Sequence, residues 1–209
     1  MKIVVFGASG GTGIEIVRQG LAAGHEVTAF VRTPAKLNIE NPKLTLFQGD
    51  VLDAAAVEQA VAGQEAVISA LGPTRPAAPG MMETAARNIV AAMDKAGVRR
   101  LISTTGAGVR DPRDQPKLID HLMKGLLTLL AGSVLKDSAA NVEIIRASDL
   151  DWTIVRYPRL LDGSHTGNYR VGYVGQDSGS QLARADGADF VLKELAEGKY
   201  IGQMPVVSY

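Results

Sequence analysis

Glycines crowd the first turn of the chain. Gly7, Gly10 and Gly13 stand three residues apart in "KIVVFGASGGTGIEIVRQGLAAG", between a short apolar strand and a helical pattern. Glycine loses more conformational entropy on folding than any other residue, so a turn built from it needs a physical reason. Here Gly7 allows a tight turn, Gly10 lets a pyrophosphate approach the backbone with no Cβ in the way, and Gly13 lets the helix pack close to the strand. The free N–H groups and the dipole of the helix N-terminus would then favour a diphosphate.

The spacing of these glycines is GxxGxxG, and their position in the chain makes them informative. A glycine triplet alone is a weak signal, but between the first strand and the first helix of a βαβ unit it is typical of a dinucleotide site. Two hydroxyl side chains in the turn add hydrogen-bonding groups. The alternative is a tight turn that binds no ligand. The predicted contacts to the dinucleotide in this turn are Gly7, Ser9, Gly10, Gly11, Thr12 and Gly13.

The end of the second strand predicts which dinucleotide binds. A site for NAD would offer Asp or Glu there, to accept a hydrogen bond from the ribose. This strand ends in "FVRTPAK", in which Arg32 replaces the acid, Thr33 can donate a hydrogen bond and Lys36 lies one turn on. This composition favours a 2′-phosphate and therefore NADP(H), with NAD(H) less favoured. The alternative is an arginine that is simply solvated in a loop.

Further candidates follow the third and fourth strands. In an open parallel sheet, ligands bind beyond the carboxyl ends of the strands. Asp50 and Val51 come after the third strand, where the adenine edge would lie. Ala70, Leu71 and Gly72 follow the fourth strand, beside the cofactor ribose. Asp50 could equally cap a helix, and Leu71 could belong to the core.

Apolar runs alternate with helical patterns along the chain. Strands joined by crossovers of this length run parallel, with helices on both faces. The sequence therefore predicts one α/β domain over 1–209, a Rossmann-type doubly wound parallel sheet with a small C-terminal elaboration. The substrate-side elements are expected mainly in 106–135 and 158–187. The predicted strands are 2–7, 26–32, 44–50, 65–72, 99–106, 151–158 and 200–209, and the predicted helices are 12–24, 53–63, 82–97 and 185–198, with 115–148 partly helical.

Composition excludes several classes of function. Among 209 residues, 22 Lys and Arg balance 22 Asp and Glu, which argues against a protein built to bind nucleic acid or an anionic membrane. Cysteine is absent, so no thiol nucleophile or disulfide exists, and a reducing cytoplasm is expected. No signal peptide is read at the start. The longest apolar segment, 121–135, contains Lys124 and is too short to span a bilayer. It could form core, a dimer contact or an apolar wall over a flat substrate.

Several segments together resemble a known family. They are "GASGGTG", "VRTPAKL", "GDVLD", "ALGPTR", "ARNIVAAMDKAGVRRLISTTG" and "RASDLDWTIVRYPRLLDG", in this order. The chain resembles the atypical short-chain dehydrogenase/reductases over roughly residues 1–175. It is most similar to the NAD(P)H-binding group that contains flavin reductase/biliverdin-IXβ reductase. The resemblance implies a Rossmann fold, NADP(H), and hydride delivery from nicotinamide to a planar conjugated acceptor such as a flavin.

The chain departs from this family at the residues that would face the substrate. No tyrosine is followed four residues later by lysine, so the YxxxK acid pair of ordinary short-chain dehydrogenases is absent. The resemblance matches Thr105 and Arg159 to a serine and a histidine that face the substrate. Thr105 keeps a hydroxyl, whereas Arg159 cannot titrate near neutral pH and could only orient or neutralise an acceptor. The nicotinamide is expected near Leu71, Thr104, Thr105 and Pro158.

Two functions from different classes follow from these residues. The first is an NADPH-dependent reductase of a flavin or quinone, which would bind a small-molecule acceptor as a monomer or homodimer. The second is a non-catalytic NADP(H)-binding sensor, which the missing Tyr/Lys pair would fit. An epimerase or quinone reductase on the same scaffold is a third. Specificity for the acceptor would lie in the loops 72–80, 106–116 and 161–169.

The remaining polar candidates have a plain structural alternative. Three scattered histidines do not have the spacing of a metal site. His25 lies in a turn and is expected to be structural, and His121 to be a cap or surface residue. His165 could touch the substrate from its loop. Arg156 could bond the cofactor-side loops or form a structural ion pair.

Overall fold

The computed structural model describes residues 1–72, 80–116 and 118–209, the side chains of 118–131 excepted. The strands are β1 (Lys2–Phe6), β2 (Glu26–Val31), β3 (Leu44–Gln48), β4 (Ala66–Ser69), β5 (Arg100–Gly106), β6 (Asp151–Tyr157), β7 (Arg159–Leu161), β8 (Arg170–Gly172), β9 (Gln181–Ala183) and β10 (Val206–Ser208). The α-helices are α1 (Gly11–Ala22), α2 (Ala54–Val61), α3 (Met81–Ala96), α4 (Leu118–Arg146) and α5 (Arg184–Glu197), and a short 3₁₀-helix covers Pro34–Lys36.

One eight-stranded sheet carries the fold, in the order β3-β2-β1-β4-β5-β6-β10-β8. Its ladders are parallel except the last, in which β8 runs antiparallel to β10. The chain moves outward from β1 in one direction to β3, then returns and builds in the other direction from β4. The order reverses between β1 and β4, which is where sheets of this topology usually bind their ligands. The predicted Rossmann-type doubly wound sheet is confirmed.

Buried apolar side chains cover both faces of the sheet. Successive residues of a strand point to opposite faces, so a strand covered on both sides is apolar throughout. Four consecutive residues of β1, from Ile3 to Phe6, are completely buried. Ile3 and Val5 belong to a core cluster with Ile16 of α1 and Leu195 of α5. The other two belong to a second cluster with residues of α2, α3 and α4, namely Val57, Ile89 and Ile145.

Local sequence signals set the helix ends. The Asp53 carboxylate accepts hydrogen bonds from the amides of Ala55 and Ala56 and begins α2, as predicted. Gly97 ends α3 at φ 69° and Gly198 ends α5 at φ 62°, both in the left-handed region that glycine adopts without strain.

The sequence missed three short strands after β6. β7 and β9 pair in parallel as a separate two-stranded sheet, and β8 adds to the edge of the main sheet. Three residues are too few to show a strand periodicity. β10 is also shorter than predicted, because Gly202 at φ 69° and Pro205 precede it. Within the described ranges, no helix is long and apolar enough to cross a membrane.

Candidate functional site

The glycine turn between β1 and α1 lies directly against the end of β4. Gly7 has φ 76°, and a Cβ on it would lie 2.6 Å from the carbonyl oxygen of Ala70. The amide of Gly10 donates to the Gly7 carbonyl at 2.9 Å and closes the turn. A Cβ on Gly13 would collide with the same carbonyl. The sequence predicts that Gly13 packs against the strand. In the structure Gly13 packs instead against the backbone of Gly7 and Ala8 in the turn itself.

The first amide groups of α1 have no hydrogen-bond partner among the described residues. Gly10 is its N-cap residue, in an extended conformation, and no side chain of the described residues caps the helix. The first intrahelical bond runs from the Ile14 amide to the Gly10 carbonyl, so the amides of residues 11–13 precede it. The first turn contains no acidic residue. Two half-buried hydroxyl residues flank this N-terminus: Ser9 just before the helix and Thr12 in its first turn. This arrangement fits a diphosphate, because an anion would accept hydrogen bonds from the unpaired amides and would lie at the positive end of the helix dipole.

Two exposed cations lie at the end of β2. Arg32, Thr33 and Lys36 are all exposed, and Thr33 precedes the short 3₁₀-helix. The Lys36 amide donates to the Thr33 carbonyl at 3.1 Å, which folds the two basic side chains onto one tight turn. No carboxylate occurs among residues 32–36. The turn is therefore locally electropositive, beside the strand that pairs with β1.

The residues after β3 have mainly local roles. The Asp50 carboxylate accepts a hydrogen bond from the Leu52 amide at 3.0 Å, within its own turn. Since Asp53 caps α2, the alternative of Asp50 as the helix cap is wrong. Val51 is buried, and its carbonyl accepts a hydrogen bond from Asn88 of α3. Asp50 itself is exposed at the edge where the strands end.

The strands on either side of the point where the order reverses end side by side. Phe6 lies opposite Ser69 across β1 and β4, Ser69 opposite Ser103 across β4 and β5, and Thr105 opposite Arg156 across β5 and β6. The predicted residues that follow these register positions therefore share one edge of the sheet. Of them, Thr104 is buried, Gly72 is exposed, and the half-buried ones are Ala70, Leu71, Thr105 and Pro158.

Arg159 lies on the small second sheet. It begins β7, where it pairs with Gln181 of β9, and its side chain is exposed. It follows Pro158 directly, so it stays near the end of β6. Its predicted contact with an acceptor stays a prediction.

Known proteins are similar to this chain in sequence and in fold. The profile of the NAD(P)H-binding family matches residues 7–198. The chain belongs to the NAD(P)H-binding family. The uncharacterized protein YwnB of Bacillus subtilis (strain 168) is 30% identical, over 93% of this chain and 92% of that protein.

Two solved structures show how closely the fold agrees. A candidate epimerase from Bacteroides thetaiotaomicron superposes with a TM-score of 0.83 at 28% identity, over 100% of this chain and 96% of that one. A candidate NADH-flavin reductase from Streptococcus pneumoniae superposes with a TM-score of 0.79 at 26% identity, over 100% and 99% of the two chains. The resemblance to atypical short-chain dehydrogenase/reductases is confirmed, and with it a nicotinamide nucleotide as the ligand class.

In this NAD(P)H-binding protein a buried ion pair holds the loop 106–116 that follows β5. Asp114 receives two hydrogen bonds from the Arg156 guanidinium, at 2.7 and 2.8 Å. Arg156 is fully buried and also donates to the carbonyls of Val109 and Met204. The sequence left open whether Arg156 bonds the loops or forms an ion pair, and it does both. Because Asp114 also accepts from the Val174 amide, one carboxylate joins 106–116 to the segment after β8.

The charge state of Asp114 depends on these contacts. Desolvation raises its pKa, but hydrogen bonds from Arg156, the Asp111 amide and the Val174 amide, with the charge of Arg156, outweigh that effect. The pKa of Asp114 is therefore lowered from its ordinary value. Sequence reasoning missed Asp114, because it looks like one more polar residue in a loop rich in proline and charge.

A second carboxylate holds the loop 161–169. Asp186 of α5 accepts hydrogen bonds from the Thr166 amide and hydroxyl, the Gly167 amide and the Tyr209 hydroxyl. Desolvation raises the pKa of Asp186, and these bonds more than reverse the effect, so its pKa is lowered. His165 lies 3.3 Å from Asp189 of the same helix. His165 therefore contacts α5, and its proposed contact with substrate stays a prediction.

Tyr157 lies at the end of β6, but its hydroxyl is not available as an acid in a reaction. Its hydroxyl donates to the Gly187 carbonyl at 2.8 Å, and burial raises its pKa.

His25 lies in the turn after α1, as predicted, and burial lowers its pKa. Among the residues described here, no group of three or more His, Asp or Glu could hold a metal ion. The side chains of His121 and of most of 121–135 lie outside the described part of the structure, so the expectations for them stay untested.

Proposed function

We propose that this protein is an NADPH-dependent reductase that transfers hydride to a planar conjugated acceptor such as a flavin or quinone. The observation that carries the proposal is the uncapped first turn of α1, which opens onto the same edge of the sheet as Leu71, Thr104 and Thr105. A dinucleotide with its diphosphate on that turn would extend its nicotinamide toward these residues, past the point between β1 and β4 where the strand order reverses.

The bound nicotinamide would supply the hydride, and the protein would position the acceptor against it. Thr105 would orient the acceptor through its hydroxyl. Arg159 would orient it through its guanidinium, which stays positively charged. Tyr157 would not donate a proton, since its hydroxyl is buried against Gly187. A reduced flavin or quinone can take its proton from water, so the reaction needs no dedicated acid. Most of the rate would then come from holding the two rings in reacting geometry.

The comparison with the Streptococcus pneumoniae structure supports the choice of acceptor. That protein is a candidate NADH-flavin reductase, and it is 26% identical over all of this chain. The electropositive turn after β2 supports NADPH as the donor, because the 2′-phosphate needs cationic partners.

Replacing Arg32 by alanine should test the choice of NADPH. A charge-assisted hydrogen bond contributes about 1.5–3 kcal/mol, so NADPH should bind about 10–100-fold more weakly and NADH nearly as before. Titration of nucleotide fluorescence measures both dissociation constants. Arg18→Ala, at an exposed arginine of α1, is the matched control and should change neither. Equal losses for NADPH and NADH would contradict the assignment of Arg32.

Turnover is tested by NADPH consumption with FMN, riboflavin and quinones. The proposed reductase should oxidise NADPH only when an acceptor is present, and Thr105→Val should slow the reaction without weakening NADPH binding. If the wild-type protein binds NADPH but reduces none of a broad panel of acceptors, the reductase proposal is wrong.

A non-catalytic NADP(H) sensor is the second candidate. The buried hydroxyl of Tyr157 favours it, because this tyrosine directly precedes Pro158 in the chain and its hydroxyl is already bonded to the Gly187 carbonyl. Tight binding of NADPH without turnover would support it. A sensor should also distinguish NADPH from NADP⁺ in affinity, which the same titration measures.

A further inference from the structure

An arginine from the far end of the chain reaches over the glycine turn. Arg184 begins α5, and a Cβ on Gly11 would lie 2.7 Å from its Nε and 2.8 Å from its Cδ. The two helices run side by side, since Gln19 of α1 donates to the Ala185 carbonyl at 2.9 Å. The missing side chain of Gly11 therefore makes room for Arg184. The Cδ and Nε atoms of Arg184 lie on the first turn of α1, where the unpaired amides are.

Helix stability does not explain an arginine at this position. A cation at the first residue of a helix faces the positive end of the helix dipole, which is unfavourable. The favourable charge in the first turn of α5 is supplied by Asp186 instead. Arg184 is therefore placed against the electrostatic preference of its own helix, and it lies at the positive end of a second helix, α1. The guanidinium of Arg184 and the N-terminus of α1 together form a site for an anion.

The present partner of Arg184 is easily exchanged. Its Nη1 donates to the Asp162 carboxylate at 2.6 Å, and 98% of the Asp162 side chain is exposed to solvent. Ion pairs in contact with solvent contribute little to stability. A phosphate group would compete well for the guanidinium, because the planar fork of arginine matches two phosphate oxygens.

We propose that Arg184 binds the diphosphate of the nicotinamide nucleotide over Gly11, with Asp162 as the competing carboxylate. The inference rests on the nucleotide binding of the proposed function, and it adds a cofactor ligand that lies outside the glycine turn. Arg184 would act on the part that NADH and NADPH share. Its contribution should therefore be the same for both nucleotides, in contrast to that of Arg32.

The test compares dissociation constants for NADPH and NADH. Arg184→Gln should weaken both by a similar factor, about 10–100-fold for one lost charge-assisted contact. Arg184→Lys should restore part of the affinity, because it keeps the charge. Arg170→Gln, at an exposed arginine of β8, is the matched control and should bind like the wild type. The unfolding midpoint of each nucleotide-free variant should stay near that of the wild type.

Two further variants separate a binding role from a structural one. Asp162→Asn should tighten both nucleotides by up to about fivefold, since the competitor loses its charge. In an Arg184→Gln background the same change should have no effect. Gly11→Ala should push the flexible Arg184 side chain aside and weaken binding, with little further loss in the Arg184→Gln background.

Three results would overturn the proposal, and they are distinguishable. If Arg184→Gln binds both nucleotides within twofold of the wild type, Arg184 is not a ligand. If it lowers the unfolding midpoint strongly and Arg184→Lys restores the midpoint but not the affinity, its role is structural. If the wild-type protein binds neither nucleotide, the proposed function fails, and this inference fails with it.

Discussion

Asp114→Ala should destabilise the protein by about 3–5 kcal/mol, because it leaves the fully buried Arg156 without a counter-charge. For a chain of this length, each kcal/mol corresponds to about 2–4 °C in the unfolding midpoint, so a fall of about 6–20 °C is expected. Urea unfolding followed by circular dichroism measures the free energy. Asp149→Ala removes an exposed carboxylate and should change the stability by less than about 0.5 kcal/mol.

The pH dependence provides an independent check on the same ion pair. The folded pKa of Asp114 lies below its ordinary value of 3.8, so its charge stabilises the fold above that value. The stabilisation is lost as the pH falls through the lowered pKa. The difference in unfolding free energy between wild type and Asp114→Asn should therefore be full near neutral pH and shrink in acid. A difference that stays constant down to pH 2 would contradict an ionised Asp114.

Gly13→Ala should abolish measurable nucleotide binding at ordinary concentrations. A Cβ at this position meets the Gly7 carbonyl, which is backbone and cannot move aside without opening the turn. Opening the turn displaces the amides of the first turn of α1 from the diphosphate. Losing two charge-assisted hydrogen bonds of about 1.5–3 kcal/mol each weakens binding by about 100-fold or more. Fluorescence titration with NADPH measures the loss.

Gly20→Ala is the matched control on the same helix. A Cβ on Gly20 would make ordinary contacts at 3.5–3.7 Å with side chains of Val27, Ile3 and Leu192. Alanine is favoured over glycine inside a helix by about 0.5–1 kcal/mol, so this variant should fold at least as well as the wild type and bind NADPH unchanged. If Gly13→Ala binds NADPH as tightly as Gly20→Ala does, the diphosphate does not depend on this turn.

The sequence determined the parts of this protein that depend on neighbouring residues. Consecutive apolar residues such as Ile3 to Phe6 predict strands covered on both faces, and the structure confirms the doubly wound sheet. The tight turn at Gly7 and the cap at Asp53 were also readable, because a positive φ and a helix N-terminus each demand particular residue types locally. The exposed turn at Arg32 after β2 was also readable from neighbouring residues.

Only the tertiary structure decided which distant polar groups meet. Asp114 and Arg156, and likewise Gly11 and Arg184, lie far apart in the chain and come together only when the sheet and its crossovers form. In the sequence, Asp114, Arg156 and Arg184 each look like an ordinary solvated side chain. Charge pairing acts through space and leaves no periodic pattern, whereas strand burial, helix capping and left-handed turns select residue types one position at a time.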